Sequence, residues 1–179
     1  MLYILLGNGF EEIEAIAPCD ILRRGGVEVM LAGIGGLEIT SAHGITVRAD
    51  CRVEDVRKED TELLMLPGGM GGVQSIEGSR AAMKLISDVY EDGRLVAAIC
   101  AAPTVLAHLG ILKGKKAVCY PGMEEQCTDA RMTQEASTVR DGNVITGRGP
   151  GAGLDFGFRL LSELRGKACA EEVRAAMHV

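Results

Sequence analysis

The sequence predicts an α/β fold in which a mainly parallel β-sheet is covered by helices on both faces. Short apolar runs alternate along the chain with segments of helical periodicity, and this alternation is typical of consecutive β-α-β units. The chain has 179 residues, of which 47% are hydrophobic, so it can bury a substantial core. We therefore expect residues 1–179 to form a single domain.

The first part of the chain begins with a strand and a helix. The apolar run Leu2–Leu6 predicts a strand, and Phe10–Arg24 predicts a helix that is ended by Gly25 and Gly26. Because Pro18 lies inside this segment, we expect either a kink or a later start of the helix. A second strand is predicted at Val27–Ala32.

The middle of the chain adds short strands and one clear helix. Two strand-like pieces, Leu37–Thr40 and Ile45–Val47, predict a local antiparallel addition. The apolar run Leu63–Leu66 predicts another strand, which stops at the glycine-rich loop Pro67–Gly72. A helix is expected from Ser79 to Asp92, because Ser79 is a favourable N-cap and apolar residues follow at helical spacing.

The second half of the chain continues the alternation. A strand at Leu95–Ile99 leads into Cys100 and a helix from Ala101 to Leu109. The dipeptide Asp141-Gly142 is a strong signal for a β-hairpin. The remaining predictions are one strand, the two strands of this hairpin and two closing helices, at Ala117–Tyr120, Ser137–Arg140, Asn143–Gly147, Gly153–Arg165 and Cys169–Met177.

Charge and composition exclude several classes of protein. A net charge of −6 argues against a general nucleic-acid surface. No apolar run approaches the roughly 18 residues that cross a membrane, and no basic region precedes the apolar amino terminus. We therefore expect a cytoplasmic protein without a membrane partner. The six cysteines form no C-x-x-C pair and show no zinc-type spacing, so we expect reduced thiols and no metal.

Three strand ends carry residues suited to chemistry. The first is followed by the acidic segment Glu11–Glu14, the second by the glycine-rich loop Pro67–Gly72, and the third by Cys100. In open α/β sheets, ligands bind beyond the carboxyl ends of the strands. If these strands are parallel, a carboxyl group, a glycine loop and a thiol meet at one edge of the sheet.

Cys100 is the strongest candidate for a reactive residue. A thiol at a strand-to-helix turn lies where free N–H groups and the helix dipole stabilise an anion, which would lower its pKa. A carboxyl group beside the thiolate would have a raised pKa and serve as a general acid or base. Two simpler interpretations stay open: Cys100 is a small buried hydrophobe, or the glutamates only decorate the first turn of a helix.

The sequence gives little support for an organic cofactor. The glycine-rich loop has no Gly-Lys-Ser/Thr after it, so it is not a P-loop, and the segment Gly7–Gly9 lacks the third glycine of a dinucleotide fingerprint. We expect no cofactor. The three histidines, His43, His108 and His178, are distant from Cys100 in sequence, so a Cys-His dyad is possible only through the fold.

Four motifs in order resemble the ThiJ/PfpI superfamily, and within it the branch of the parkinsonism-associated protein deglycase and its bacterial relatives. The resemblance covers nearly the whole chain. The motifs are Gly9–Glu14, Leu66–Gly69, Ala97–Pro103, and Arg148–Gly151 ahead of Asp155-Phe156.

The resemblance implies a flavodoxin-like three-layer sandwich and a homodimer that packs partly through the first helix around Ile13. By the same resemblance, Cys100 is the nucleophile and Glu14 is its protonated carboxyl partner. Further site residues are implied by position: an oxyanion site from the backbone of Gly68, Gly69 and Ala101, and a cavity lining from Tyr120, Arg148 and Pro150.

The chain departs from the family pattern at two positions. Peptidase-like branches carry histidine directly after the cysteine, whereas this chain has Ala101, which argues against a protease. The deglycase branch often has a histidine before a proline near the site, whereas here Tyr120 precedes Pro121. Proton transfer would then fall to Glu14 or to water.

Two functions remain open at this point. The first is a glyoxalase or deglycase in which Cys100 adds to methylglyoxal, glyoxal or an early adduct on a protein or nucleotide, with Glu14 as acid and base. The second is a sensor of oxidative stress, or a chaperone, in which Cys100 is oxidised to sulfinate beside Glu14 without significant turnover. A thiamine-pathway enzyme has no residue in its support.

Overall fold

A seven-stranded sheet forms the centre of the computed structural model, which describes residues 1–179. Its spatial order is β10-β11-β7-β6-β1-β2-β5, and only the edge strand β10 runs antiparallel to its neighbour. These strands are β1 (Leu2–Leu6), β2 (Val29–Gly33), β5 (Cys51–Arg52), β6 (Leu63–Leu66), β7 (Leu95–Ile99), β10 (Thr138–Asp141) and β11 (Val144–Gly147). The expected mainly parallel sheet is therefore confirmed.

Two pairs of short strands lie outside this sheet. The antiparallel pair is β3 (Glu38–Thr40) with β4 (Thr46–Arg48), and it confirms the local addition expected between residues 37 and 47. The parallel pair is β8 (Lys116–Ala117) with β9 (Arg131–Met132). The strand predicted at Ala117–Tyr120 is therefore shorter and begins earlier than expected.

The reason for the shortened strand is tertiary. Beyond Ala117, the N–H of Val118 donates to the hydroxyl of Thr146 at 3.0 Å, and the N–H of Tyr120 donates to the carbonyl of Cys100 at 2.8 Å. These bonds draw the chain away from β9 and across the ends of β11 and β7. The segment that was predicted as a strand thus becomes part of the surroundings of Cys100.

Six helices form two groups of neighbours around the sheet. One group is α1, α5 and α6, and the other is α2, α3 and α4, in which α2 contacts both α3 and α4. Together with the sheet they give the three layers of a flavodoxin-like α/β fold. The helices are α1 (Glu12–Arg24), α2 (Met70–Gly78), α3 (Arg80–Glu91), α4 (Pro103–His108), α5 (Gly153–Arg165) and α6 (Lys167–Ala176).

Helix α2 was not predicted, because its first turn is rich in glycine. The glycines serve a close contact with the loop after β1: a Cβ at Gly71 would lie 2.9 Å from the carbonyl oxygen of Asn8, and one at Gly72 would lie 2.9 Å from Cα of Phe10. Larger residues would push the helix off this loop. Packing therefore outweighs the low helix propensity of glycine here.

Two helices start later than the sequence suggested. Helix α1 begins at Glu12 rather than Phe10, because the N–H of Glu11 donates to the carbonyl of Gly68 at 3.1 Å, and Pro18 is accommodated inside the helix. Helix α4 begins at Pro103 rather than Ala101, with residues 100–102 in a turn. No helix has the length and apolar character that crossing a membrane requires.

Candidate active site

Cys100 lies in a sharp turn directly after β7. Its φ is +66°, in the left-handed region that residues other than glycine seldom adopt. Backbone hydrogen bonds hold the turn on both sides, because the N–H of Cys100 donates to the carbonyl of Gly147 at 3.0 Å and its own carbonyl accepts from Tyr120. Such conformations cost about 1–3 kcal/mol and persist where the surroundings impose them.

Glu14 is a fully buried carboxyl group in the first turn of α1. Its Oε2 accepts a hydrogen bond from the N–H of Gly68 at 2.8 Å, whereas Oε1 is buried without a conventional partner. Burial raises the pKa of Glu14 to about 7, against the opposing hydrogen bonds with Cys100 and Gly68. This carboxyl group is therefore poised to bind and release a proton near neutral pH.

Gly68 separates the carboxyl group from the cysteine. A Cβ at this position would lie 2.6 Å from Glu14 Oε2 and 2.8 Å from Cys100 Cβ, both far below van der Waals contact. Only glycine allows the ends of β6 and β7 to approach the first turn of α1 in this way. The three predicted strand ends therefore do meet at one edge of the sheet.

The pKa of Cys100 is raised to about 12, first by burial, then by the negative charge of Glu14 and the hydrogen bond between the two groups. The expectation that the turn lowers the pKa of the thiol is therefore wrong, because burial and the contact with Glu14 outweigh the N–H groups of Ala101 and Gly69. The thiol and the carboxyl group titrate together. They lose one proton near neutral pH and hold the second strongly.

Two backbone N–H groups stabilise negative charge on the sulfur. Those of Ala101 and Gly69 each act to lower the pKa of Cys100, and neither donates to another protein group. Gly68 was expected to share this role, but its N–H donates to Glu14. The structure thus gives Gly68 a positioning role and leaves Gly69 and Ala101 facing the thiol.

Cys100 faces a cavity of about 460 Å³, which is also lined by Tyr120 and Pro150. A second cavity of about 580 Å³ shares Tyr120 and Pro150 in its lining and is also lined by Arg148. Of the lining residues implied by the resemblance, Tyr120 and Pro150 therefore border the thiol, whereas Arg148 borders only the neighbouring cavity. Glu11 also lines the cavity of Cys100, and nothing in the sequence distinguished it from Glu12.

Glu12 belongs to a separate network with the β3–β4 turn. Its carboxylate accepts hydrogen bonds from the backbone N–H of His43 at 3.0 Å and from the hydroxyl of Ser41, and it lies 2.8 Å from Nδ1 of the same histidine. Burial alone would raise the pKa of Glu12, but hydrogen bonds from His43 and Ser41 outweigh it and lower the pKa to about 2. His43 is thus engaged by Glu12, and it does not line the cavity of Cys100.

Among the described residues, only Glu11, Glu12 and His43 bring three potential metal ligands within 4.8 Å of one another. No side chain in the cavity of Cys100 offers a comparable set of ligands.

Comparisons with known proteins agree with the resemblance found in the motifs. A family model described as the DJ-1/PfpI family matches residues 1–163. Protein dj-1beta of Drosophila melanogaster is 36% identical over 178 residues, which cover 98% of this chain and 95% of the fly protein. A deglycase of Pyrococcus abyssi is 33% identical over 149 residues, covering 83% of this chain and 89% of the archaeal protein.

Solved structures give the same result. The crystal structure of Drosophila melanogaster DJ-1beta superposes with a TM-score of 0.95 at 35% identity, covering 99% of this chain and 97% of the fly chain. A structure of Toxoplasma gondii DJ-1 in an oxidised form superposes with a TM-score of 0.92 at 30% identity, covering 98% of this chain and 96% of the other.

Replacing Glu14 by glutamine is expected to stabilise the fold above neutral pH. Because the pKa of Glu14 rises from 4.5 to about 7 on folding, the folded protein binds this proton more tightly than the unfolded chain. Wild type therefore loses stability as pH rises between these values. At about 1.4 kcal/mol per pKa unit, the Glu14→Gln variant gains roughly 3 kcal/mol at pH 8, and the gain disappears near pH 4.5, the pKa of the unfolded chain.

Urea unfolding of wild type and variant at pH 8 and at pH 4.5 measures this difference in the free energy of unfolding. Glu12→Gln is the matched control, and the opposite sign is expected for it at pH 8, because the hydrogen bonds around Glu12 favour its charged form. A Glu14→Gln variant that is less stable than wild type at pH 8 would contradict the assignment of Glu14 as a carboxyl group destabilised by its charge.

Proposed function

The chain belongs to the DJ-1/PfpI family, and on this basis we propose that it is a cysteine-dependent glyoxalase or deglycase. Its substrates are methylglyoxal, glyoxal or their early adducts on proteins and nucleotides. The observation that carries the proposal is the buried contact of Cys100 with Glu14, whose pKa lies near neutrality. A family member from Pyrococcus abyssi that is named a deglycase supports the same chemistry.

The first step is addition of the Cys100 sulfur to the aldehyde carbon. The pair of Cys100 and Glu14 has then already lost one proton, and the remaining one lies on Glu14 when the sulfur attacks. A carboxyl group with a pKa of about 7 accepts this proton more readily than an ordinary glutamate would. The product is a hemithioacetal whose oxygen is stabilised by the N–H groups of Gly69 and Ala101.

The second step moves hydrogen within the bound substrate. Glu14 first gives its proton to the hemithioacetal oxygen. As a carboxylate it then removes the proton from the former aldehyde carbon and delivers it to the neighbouring carbonyl oxygen, which gives an enediol. Transfer of the hydroxyl proton from the former aldehyde oxygen to the neighbouring carbon through Glu14 completes the step. The result is a thioester of a 2-hydroxy acid on Cys100. Water then hydrolyses the thioester, which releases lactate from methylglyoxal and regenerates the thiol. Glu14 shares a hydrogen bond with Cys100, so it serves in each proton transfer.

The sizes and positions of the two cavities suit a small aldehyde that carries an attached group. The cavity of about 460 Å³ at Cys100 accommodates the dicarbonyl part of the substrate. The neighbouring cavity with Arg148 shares Tyr120 and Pro150 in its lining and leaves space for the amino acid or nucleotide part of an adduct. Arg148 is exposed there and makes no salt bridge, so its charge is available to an anionic group.

A sensor of oxidative stress is the second candidate. A carboxyl group that contacts the sulfur would donate a short hydrogen bond to a sulfinate and so favour this oxidation state. The Toxoplasma gondii relative is described as oxidised, which is in line with such chemistry in the family. Stoichiometric oxidation of Cys100 by peroxide in a protein without aldehyde turnover would favour this candidate.

We propose in addition that two copies of the chain pair through the start of α1. Ile13 and Ile16 on this helix are 53% and 39% exposed, and Leu154 on α5 is 38% exposed. The starts of the two helices adjoin, since a Cβ at Gly153 would lie 3.0 Å from Ile13 Cγ2. The patch formed by Ile13, Ile16 and Leu154 is suited to burial against a second copy.

Lactate formation from methylglyoxal tests the catalytic proposal. The Cys100→Ala variant is expected to form no lactate above the uncatalysed rate, because the nucleophile is gone. Glu14→Gln is expected to lose about 100-fold or more, the usual contribution of a general acid or base. The control is Cys51→Ala, which removes a partly exposed thiol outside the cavity and should retain the wild-type rate. Wild-type rates in Cys100→Ala would refute the proposal.

Gly68→Ala tests whether the spacing of the pair matters. The added methyl group must displace either Glu14 Oε2 or Cys100, and a shift of about 1 Å at a catalytic group can cost about 100-fold in rate. The variant should keep its circular dichroism spectrum and lose lactate formation. Gly78→Ala, at a glycine with open space around it, is the matched control and should keep full activity.

Sedimentation velocity tests the pairing. Ile13→Lys places a charge in the centre of the exposed patch, so we expect a shift from dimer to monomer at micromolar concentration. Val179→Lys, which changes an equally exposed apolar residue elsewhere, should leave the dimer intact. If wild type itself sediments as a monomer across this range, the proposed interface is wrong.

A further inference from the structure

The wall of the Cys100 cavity is bounded by two further cysteines. Cys119 precedes the segment 120–126 and Cys127 follows it. Four consecutive residues of this segment, Tyr120 to Met123, line the cavity that holds Cys100. A covalent bond between Cys119 and Cys127 would therefore connect the two ends of the segment that forms this wall.

The two thiols are buried and in contact with each other. Cys119 is 0% exposed and Cys127 is 1% exposed, and both are free. Their side chains share a hydrogen bond, and the sulfur of Cys119 also lies 3.4 Å from the carbonyl oxygen of Tyr120. Neither residue takes part in the chemistry assigned to Cys100 and Glu14. Contacting thiols are the arrangement from which a disulfide forms with little movement of the backbone.

The contact also makes the two thiols unequal. The hydrogen bond from Cys119 lowers the pKa of Cys127, against the effect of burial. The same bond, together with burial, raises the pKa of Cys119. Since the thiolate is the reactive form of cysteine, Cys127 is the member of the pair that reacts first with an oxidant.

We propose that Cys119 and Cys127 form a reversible disulfide that ties together the two ends of the segment 120–126 and restrains the wall of the Cys100 cavity. The oxidant is a small peroxide or a diazene. With a peroxide, the Cys127 thiolate attacks one oxygen and becomes a sulfenic acid, releasing one water after protonation. The Cys119 thiol then displaces the hydroxyl group as a second water, and the S–S bond is complete. A dithiol reverses the reaction.

The disulfide reduces the mobility of the segment 120–126 and leaves Cys100 and Glu14 chemically unchanged. A link between residues 119 and 127 removes conformational freedom from the loop that it closes. The carbonyl of Cys100 accepts a hydrogen bond from Tyr120, the residue next to Cys119, so the restraint reaches the edge of the cysteine turn. Oxidation of this pair therefore sets how freely the cavity wall moves.

Mass spectrometry of the Cys100→Ser variant tests the proposal without any dependence on catalysis. The protein is treated with diamide, a diazene that takes up the two hydrogens, and free thiols are then alkylated in denaturant. Trypsin releases both cysteines in the single peptide Ala117–Arg131, which contains no other cysteine. We expect this peptide to lose two hydrogens, to resist alkylation, and to regain both thiols after treatment with dithiothreitol.

The partly exposed Cys51 and Cys169 calibrate the dose of oxidant in the same sample. The proposal is overturned if both thiols of the Ala117–Arg131 peptide remain alkylatable at a dose that modifies Cys51 and Cys169. It is equally overturned if wild-type protein links Cys119 or Cys127 to Cys100 instead. A Cys127→Ser variant in the same background should show no loss of hydrogens.

Hydrogen–deuterium exchange tests the effect on the wall. In the Cys100→Ser variant, exchange across residues 120–126 is expected to slow by about tenfold on oxidation, because local opening requires the freedom that the disulfide removes. Exchange in the β3–β4 turn, which is far from the pair in sequence, provides the internal control. Unchanged exchange in a fully linked protein would overturn the proposed restraint.

Discussion

The site depends on the burial of two acidic groups against each other. The thiol of Cys100 and the carboxyl group of Glu14 share a pocket from which water is largely excluded, so two negative charges cannot coexist there. The pair gives up its first proton near neutral pH and holds the second, and this behaviour arises from desolvation rather than from a helix dipole. The rest of the site serves to hold these groups together and to accept the single charge.

Close backbone approach makes this contact possible. The end of β6 has no side chain at Gly68, so Glu14 from α1 and Cys100 from β7 can meet across it. The glycines at the start of α2 allow α2 to pack closely against the loop after β1. This contact positions the first turn of α1, which follows that loop. Glycine at these points costs helix propensity and conformational entropy, and packing at the site offsets that cost.

The wall of the cavity is connected to the cysteine turn by the backbone. The bond from the N–H of Tyr120 to the carbonyl of Cys100 fixes the chain that enters the segment 120–126. Cys127 follows the other end of that segment and shares a hydrogen bond with Cys119. The thiol of Cys100, the cavity wall and the thiols of Cys119 and Cys127 are therefore adjacent parts of one region, although only the first was apparent as a candidate chemical site from the sequence.

The sequence by itself determined the order of the main strands and helices, the hairpin at Asp141-Gly142, and the placement of Cys100 at the end of a buried strand. These features depend on local periodicity, turn chemistry and short motifs, which neighbouring residues specify. The family resemblance that the motifs carry also implied Glu14 as the partner of Cys100. Local pattern could not find α2, because glycine-rich segments ordinarily form loops.

Only the tertiary structure decided which acidic residue does what. Glu11, Glu12 and Glu14 share one short segment, yet one lines the cavity, one binds the β3–β4 turn and one contacts Cys100. Their different pKa shifts arise from burial and from partners that are distant in sequence. The same holds for Gly68, whose N–H serves Glu14, and for the pairing of Cys119 with Cys127. Desolvation and contact are properties of packed chains, so no local pattern of residues specifies them.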